Sequence, residues 1–148
     1  PVPPARVTGW SATSGEAAIA ELHAQLGSGA GAINDEPRFL AELLERSRLA
    51  SVCIAEEIAI PHARTSAVNR MVLAVGRLAQ PVAFDAEHPR VRLVFLIGTP
   101  KEAAADYLKL VASLSRRLKS AATRKALLAA LTEGEFLAVL VRSAEVKR

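Results

Sequence analysis

Three histidines and one cysteine are the side chains of this sequence best suited to act as nucleophiles or metal ligands: His23, His62, His88 and Cys53. His23 lies in a predicted helix and His88 in a polar turn, so both are expected to be structural or exposed. His62 follows the apolar residues 58–61 and precedes the polar residues 64–66, where a buried strand meets a loop. Reactive groups are often held at such positions. On this pattern alone, His62 is either a nucleophile or a satisfied core histidine.

Other chemistries find little support in the sequence. A glycine-rich phosphate loop is lacking, so direct use of ATP is not expected. Cys53 lies between Val52 and Ile54, which is typical of a packing residue rather than of a reactive thiol. The widely spaced histidines give no recognisable zinc pattern. We therefore expect neither a metal nor a cofactor.

Composition indicates one globular domain, because 148 residues with 51% hydrophobic and 23% charged residues can form one core. The net charge is +4, but basic residues are scattered among 15 acidic ones and aromatic residues are few, so a nucleic-acid partner is not expected. Apolar runs fall short of the roughly 20 residues that a membrane helix needs. A single cysteine suits a reducing compartment. We expect a cytoplasmic protein without membrane insertion.

Capping sequences and apolar spacing predict helices, then strands, then helices. Residues 13–16 form a capping box for a first helix that ends near residues 27–29, and Asp35 with Pro37 opens a second helix that carries Arg46 near its end. Short β-prone runs follow at residues 54–60, 71–78 and 91–98. A capping box at residues 99–102, Ser120, and a capping box at residues 132–135 predict three more helices.

The predicted fold class is α/β, with a small mixed β-sheet flanked by helices in a single domain. We expect an N-terminal extension over residues 1–12, the domain over residues 13–142 and a C-terminal tail over residues 143–148. The helix that opens at residues 99–102 is predicted to bury an apolar face of Ala104, Leu108, Val111, Leu114 and Leu118.

The segment Ile58-Ala59-Ile60-Pro61-His62-Ala63 closely resembles the active-site motif of the fructose/mannitol-type enzyme IIA family of the bacterial phosphoenolpyruvate-dependent sugar phosphotransferase system. That family includes nitrogen-related regulatory paralogues. Residues 43–46 resemble the leucine-rich helix end that carries an arginine in this family. Residues 72–78, 81–85 and 91–97, then Pro100 and the leucines of the following helix, agree in order and spacing. The resemblance covers roughly residues 13 to 142.

This resemblance implies a phosphorelay, in which a histidine accepts a phosphoryl group from the phosphocarrier protein HPr and passes it to an enzyme IIB domain. His62 matches the histidine, and Arg46 is the candidate for stabilising the phosphoryl oxygens, with Arg64 as its substitute. The implied partners are an HPr-like protein and an enzyme IIB domain or a regulatory target. The oligomeric state and the sugar or target are left open.

Two departures from the family pattern leave a second function open. Family members that carry sugar relays usually have a second histidine in a His-Leu pair, where this chain has Tyr107-Leu108. Residues 52–57, which include Glu56 and Glu57, replace the usual threonine and glycines. The chain is therefore either a phosphohistidine transferase or a non-catalytic regulatory or interaction domain that keeps the fold.

Overall fold

A computed structural model describes residues 7–10, 14–27, 31–130 and 135. The chain divides into two compact units, Pro1–Ala104 and Ala105–Arg148. In chain order the elements are β1 (Val7–Trp10), α1 (Gly15–Leu26), α2 (Glu36–Leu49), β2 (Cys53–Ala55), β3 (Ile58–Ala59), β4 (His62–Arg64), β5 (Val72–Val82), β6 (Val91–Thr99), a 3₁₀ turn (Lys101–Ala103), α3 (Ala104–Leu118) and α4 (Ala121–Ala129). None of these helices is both long and apolar enough to cross a membrane.

The strands of the first unit form one mixed sheet in the order β1-β5-β6-β3-β2, with β4 also paired to β6. Strands β5 and β6 are antiparallel, whereas β3 and β4 both run parallel to β6. β1 lies within residues 1–12, the expected extension, and pairs in parallel with β5. The sequence predicted three strands, whereas the sheet has six. The run predicted at residues 54–60 is two antiparallel strands, β2 and β3, joined by a turn at residues 56–57, and β1 and β4 were missed. Strands of two to four residues are too short to show a clear period of two.

Side-chain caps begin the first two helices, and the cap of α1 is Ser14, one residue after the Thr13 that the predicted capping box would use. The Ser14 hydroxyl accepts a hydrogen bond from the Ala17 N–H at 3.1 Å and the Asp35 carboxylate accepts one from the Arg38 N–H at 3.1 Å. Gly27 ends α1 with a φ of 53°, a conformation that glycine adopts without steric cost. The two caps thus fix where α1 and α2 start.

Apolar side chains of α1, α2 and the sheet form the core of the first unit. Leu22 of α1, Phe39 and Leu43 of α2, and Leu96 of β6 have no exposed surface, and burial of each is worth roughly 1.5–3 kcal/mol. α2 packs against β4, and Phe39 lies so close to Gly98 that a Cβ there would come within 2.8 Å of the Phe39 ring. This packing sets the position of α2 over β4.

The second unit contains most of α3 and all of α4. Leu114, Leu118 and Leu127 are buried, but Leu108 is 63% exposed, so the predicted apolar face is wrong at that residue. The Ser120 hydroxyl accepts from the Thr123 N–H at 3.2 Å, and this cap begins α4 as predicted. The helix predicted from the capping box at residues 132–135 lies outside the described residues, apart from Glu135, which is helical.

The capping box predicted at residues 99–102 is wrong. Thr99 is the last residue of β6, and its buried hydroxyl has no hydrogen-bond partner in the part of the chain that the structure describes. Pro100 is followed by a 3₁₀ turn, and α3 begins only at Ala104. Thr99 remains in β6 because its backbone takes part in the sheet. Its carbonyl accepts a hydrogen bond from the Thr65 N–H at 2.9 Å.

Candidate functional site

The backbone of His62 is fixed by strand pairing. His62 is the first residue of β4 and pairs with Ile97 of the central strand β6. The Ile97 N–H donates to the Pro61 carbonyl at 2.9 Å, directly before the histidine. His62 is half-buried, as expected for a residue where a buried strand meets a loop.

One hydrogen bond selects the tautomer of the His62 ring. Nδ1 lies 2.8 Å from the Ile60 carbonyl oxygen, two residues earlier in the chain. A carbonyl oxygen can only accept a hydrogen bond, so Nδ1 carries the proton of the neutral ring. The ring lone pair then belongs to Nε2, which is the nucleophilic nitrogen in this tautomer.

The surroundings of His62 favour its neutral form. Burial lowers the pKa of His62 below 6.5, the positive charge of Arg46 lowers it further, and the hydrogen bond to Ile60 opposes both in part. A neutral imidazole is the form that can attack phosphorus. The electrostatics therefore suit a nucleophile at neutral pH.

Arg46 and His62 lie near each other because α2 packs on β4. Arg46 is in the last turn of α2, half-buried, and its Nη1 donates to the Ala50 carbonyl at 3.1 Å. The charge of Arg46 lowers the pKa of His62, which shows that the two side chains are close together. The structure thus brings together a histidine and an arginine that the sequence separates by 16 positions.

Arg64 lies on the same face of β4 as His62, because side chains two positions apart in a strand point the same way. It is exposed, and its Nη2 donates to the Lys101 carbonyl at 3.2 Å. Tyr107 is half-buried on α3, in the second unit. Glu56 is exposed and Glu57 is half-buried in the turn between β2 and β3.

The other two histidines have local structural surroundings. His23 is 7% exposed in α1, its ring centroid lies 5.5 Å from that of Phe39, and burial lowers its pKa. This agrees with a structural role. His88 is half-buried, with Nδ1 2.7 Å from a carboxylate oxygen of Asp85, which keeps it in the predicted turn.

Sequence reasoning missed one cluster. Cys53, Asp85 and His88 each offer a ligand atom, and these three atoms lie within 4.8 Å of one another. Cys53 is half-buried, and burial is the main cause that raises its pKa to about 11. No spacing rule could reveal this group, because Cys53 comes from β2 whereas Asp85 and His88 come from the turn between β5 and β6.

Comparisons with known protein sequences agree with one another. The model of the family "Phosphoenolpyruvate-dependent sugar phosphotransferase system, EIIA 2" matches residues 7–143. The PTS system fructose-specific EIIA component of Haloferax volcanii is 34% identical over 117 residues, which cover 78% of this chain and 76% of that protein. A nitrogen regulatory protein of Bradyrhizobium diazoefficiens is 30% identical over 118 residues, which cover 79% of this chain and 76% of that protein.

Solved structures share the fold. The nitrogen regulatory protein IIA-Ntr of Neisseria meningitidis matches with a TM-score of 0.85 and 22% identity, over 94% of this chain and 95% of that one. The complex of enzyme IIA-mannitol with phosphorylated enzyme IIB-mannitol of Escherichia coli includes a chain that matches with a TM-score of 0.80 and 22% identity, over 95% of this chain and 99% of that one. The predicted α/β fold class is confirmed.

Proposed function

We propose that this chain, which belongs to the EIIA family of the phosphoenolpyruvate-dependent sugar phosphotransferase system, accepts a phosphoryl group on Nε2 of His62. The observation that carries the proposal is the 2.8 Å contact between Nδ1 of His62 and the Ile60 carbonyl, which assigns the lone pair to Nε2. The family and the fructose-specific and nitrogen regulatory relatives support a phosphocarrier or regulatory function. They do not favour a domain that has lost the relay.

The chemical step needs no cofactor. The Nε2 lone pair attacks the phosphorus atom of a phosphorylated donor, a bond forms between nitrogen and phosphorus, and the bond from phosphorus to the donor atom breaks with its electron pair kept by the donor. Nδ1–H stays bonded to the Ile60 carbonyl throughout, so the ring does not turn. Transfer to an acceptor is the reverse of this step at a second partner.

Arg46 is the residue proposed to stabilise the phosphoryl group. Phosphoryl transfer depends mainly on positioning and on neutralising charge at the equatorial oxygens, and a guanidinium group can donate two parallel hydrogen bonds to such oxygens. The half-buried position of Arg46 beside His62 supports this assignment. Arg64, on the same strand face as His62, remains the substitute.

Tyr107 is proposed to make a minor contribution to binding the phosphoryl group, only because it stands where the family usually has its second histidine. A phenol can donate one hydrogen bond to a phosphoryl oxygen but cannot carry a positive charge. One such hydrogen bond is worth about 0.5–1.5 kcal/mol, so Tyr107→Phe is expected to slow phosphorylation by about tenfold or less. A rate of phosphorylation unchanged in Tyr107→Phe would remove Tyr107 from the site.

The proposed phosphoryl donor is an HPr-like protein, and the proposed acceptor is an enzyme IIB domain or a regulatory target. The acceptor rests on the shared fold with a IIA protein that is in complex with a phosphorylated IIB protein. We place this exchange in the cytoplasm, following the expectation from the single cysteine.

The experiment that tests the site is phosphorylation by purified enzyme I, HPr and phosphoenolpyruvate, read by intact mass with and without acid treatment. Phosphohistidine is acid-labile, so we expect one acid-labile phosphoryl group per chain, absent in His62→Ala and retained in the matched control His88→Ala. Phosphorylation that survives His62→Ala would overturn the site. No phosphorylation with several HPr homologues would instead favour the regulatory or interaction domain.

A further inference from the structure

Three different side chains that could bind a metal meet beside β2, outside the proposed relay. They are Cys53 in β2 and Asp85 and His88 in the turn that connects β5 to β6. The Cys53 sulfur, an Asp85 carboxylate oxygen and a His88 ring nitrogen lie within 4.8 Å of one another, and all three residues are half-buried. Half-burial shields a bound ion from bulk water while leaving a path for it to enter.

The set of donor atoms selects the class of metal. Zinc is bound by thiolate sulfur, imidazole nitrogen and carboxylate oxygen at roughly 2.0–2.3 Å, usually in a tetrahedron. Ligand atoms of such a tetrahedron are roughly 3.3–3.8 Å apart. His88 Nδ1 and Asp85 Oδ1, now 2.7 Å apart, must therefore separate by about 1 Å, and no pair within the group is more than 4.8 Å apart. Calcium and magnesium prefer oxygen ligands alone, which makes a sulfur- and nitrogen-containing group unsuitable for them.

Hydrogen bonds already hold the carboxylate and the turn in place. The Ser51 hydroxyl donates to Asp85 Oδ2 at 2.8 Å, and the Glu87 N–H donates to Asp85 Oδ1 at 3.0 Å. The His88 N–H donates to the Asp85 carbonyl at 3.1 Å and the Phe84 N–H donates to the His88 carbonyl at 3.1 Å. Supporting hydrogen bonds of this kind orient metal ligands, so Ser51 acts on the site through Asp85.

We propose that Cys53, Asp85 and His88 form a binding site for a zinc ion, with water as the fourth ligand. Binding replaces the 2.7 Å contact between His88 and Asp85. The Nδ1 proton of the neutral His88 ring moves to Nε2, so that the Nδ1 lone pair binds zinc, and the thiol proton of Cys53 passes to solvent. The ion joins β2 to the turn between β5 and β6. Cys53 also pairs with Ala59 of β3, shortly before His62, so zinc would make this part of the sheet more rigid.

Cobalt(II) is the probe for this site, because it takes tetrahedral zinc sites and is coloured. The sequence contains one cysteine, so a cobalt–thiolate charge-transfer band can come only from Cys53. The full chain, first treated with a chelator, is titrated with cobalt(II) and then with zinc(II). We expect the band to saturate at one cobalt per chain and to be lost as zinc displaces cobalt. Absence of the band in a large excess of cobalt would overturn the proposal.

Variants test the other two ligands. Asp85→Asn and His88→Gln should each weaken cobalt affinity by more than the roughly 10- to 100-fold loss expected for the supporting Ser51→Ala. The matched control is His62→Gln, which removes a histidine outside the group and should leave the affinity unchanged. Melting temperatures without metal check that each variant is folded. A band with unchanged affinity in folded Asp85→Asn and His88→Gln would show that Cys53 binds metal with other ligands and would overturn the site.

Discussion

The protonation state of His62 determines whether it can act as a nucleophile, and its surroundings determine that state. Burial and the charge of Arg46 lower its pKa below the ordinary value of about 6.5. We expect the phosphorylation rate to fall with decreasing pH as the ring becomes protonated, with the midpoint of the fall below the ordinary pKa of about 6.5. Arg46→Gln should move this fall to higher pH. The ring signals of His62 followed by NMR during a pH titration check the value, and a midpoint above 6.5 would contradict the assignment.

The guanidinium group of Arg46 is expected to act mainly in the transition state. Arg46→Ala should slow phosphorylation by about 100- to 1000-fold, the usual loss for one preorganised charge-stabilising donor. Arg46→Lys should retain part of the rate, because lysine keeps the charge but not the paired hydrogen bonds. Single-turnover kinetics with excess phosphorylated HPr give these rates. The matched control is Arg64→Ala, and a larger loss in that variant would exchange the roles of the two arginines.

His62 could be selected from the sequence because it stands in an ordered motif after a buried strand. The lone-pair position on Nε2 could not be predicted, because it depends on a hydrogen bond between Nδ1 and the Ile60 carbonyl that the sequence does not reveal. The group of Cys53, Asp85 and His88 was missed for a related reason. Cys53 precedes Asp85 by 32 residues and His88 by 35, and only the strand order of the sheet brings them together.

The packing of α2 on the sheet depends on a glycine in β6. Gly98 pairs with Ala63, next to His62, and a Cβ at Gly98 would press on the buried ring of Phe39. Gly98→Ala is expected to lower the free energy of unfolding by about 1–3 kcal/mol, the usual cost of overpacking. It should also slow phosphorylation, because displacement of α2 moves Arg46. Chemical denaturation and the single-turnover rate measure the two effects.

The control for this packing is a double-mutant cycle. Phe39→Leu removes the ring that opposes the new methyl group, so Gly98→Ala should cost less stability in the Phe39→Leu background than in the wild-type background. Equal costs in both backgrounds would show that Phe39 is not the neighbour that makes glycine necessary.

His23 of α1 is buried, with its ring 5.5 Å from that of Phe39 in α2, so protonation of His23 at low pH is expected to destabilise the folded chain. Burial lowers the pKa of His23, so between its folded pKa and about 6.5 the unfolded chain binds more protons than the folded one. The contribution to stability is therefore present above about pH 6.5 and is lost as pH falls through the folded pKa. His23→Leu should make thermal stability less dependent on pH in this range, as followed by melting temperature. An unchanged pH dependence in His23→Leu would contradict this, and His62→Gln is the matched comparison because its pKa is also lowered.

Local sequence signals predicted those helices that have side-chain caps. Ser14, Asp35 and Ser120 each accept a backbone hydrogen bond at the start of a helix, as their residue types suggest. Thr99 has the same signal but remains in β6, because backbone pairing in the sheet outweighs a local cap. Strand β4 has only three residues and is stabilised by pairing with β6. The sequence of residues 62–64 alone does not show that β6 is available to pair with them.

The fold of the whole domain was predicted because the family motif carries long-range information that periodicity lacks. The last prediction concerns the second partner. Protein phosphorylated on His62 and freed of HPr should lose its label within one mixing step when a fructose- or mannitol-type enzyme IIB domain is added, with the label appearing on IIB. The control is the same phosphorylated protein mixed with unphosphorylated HPr, which should take the label back because the step is reversible. Label that returns to HPr but reaches no IIB domain would contradict a role in sugar transport and would assign the phosphorylated form to a regulatory target, since only the acceptor differs between the two functions.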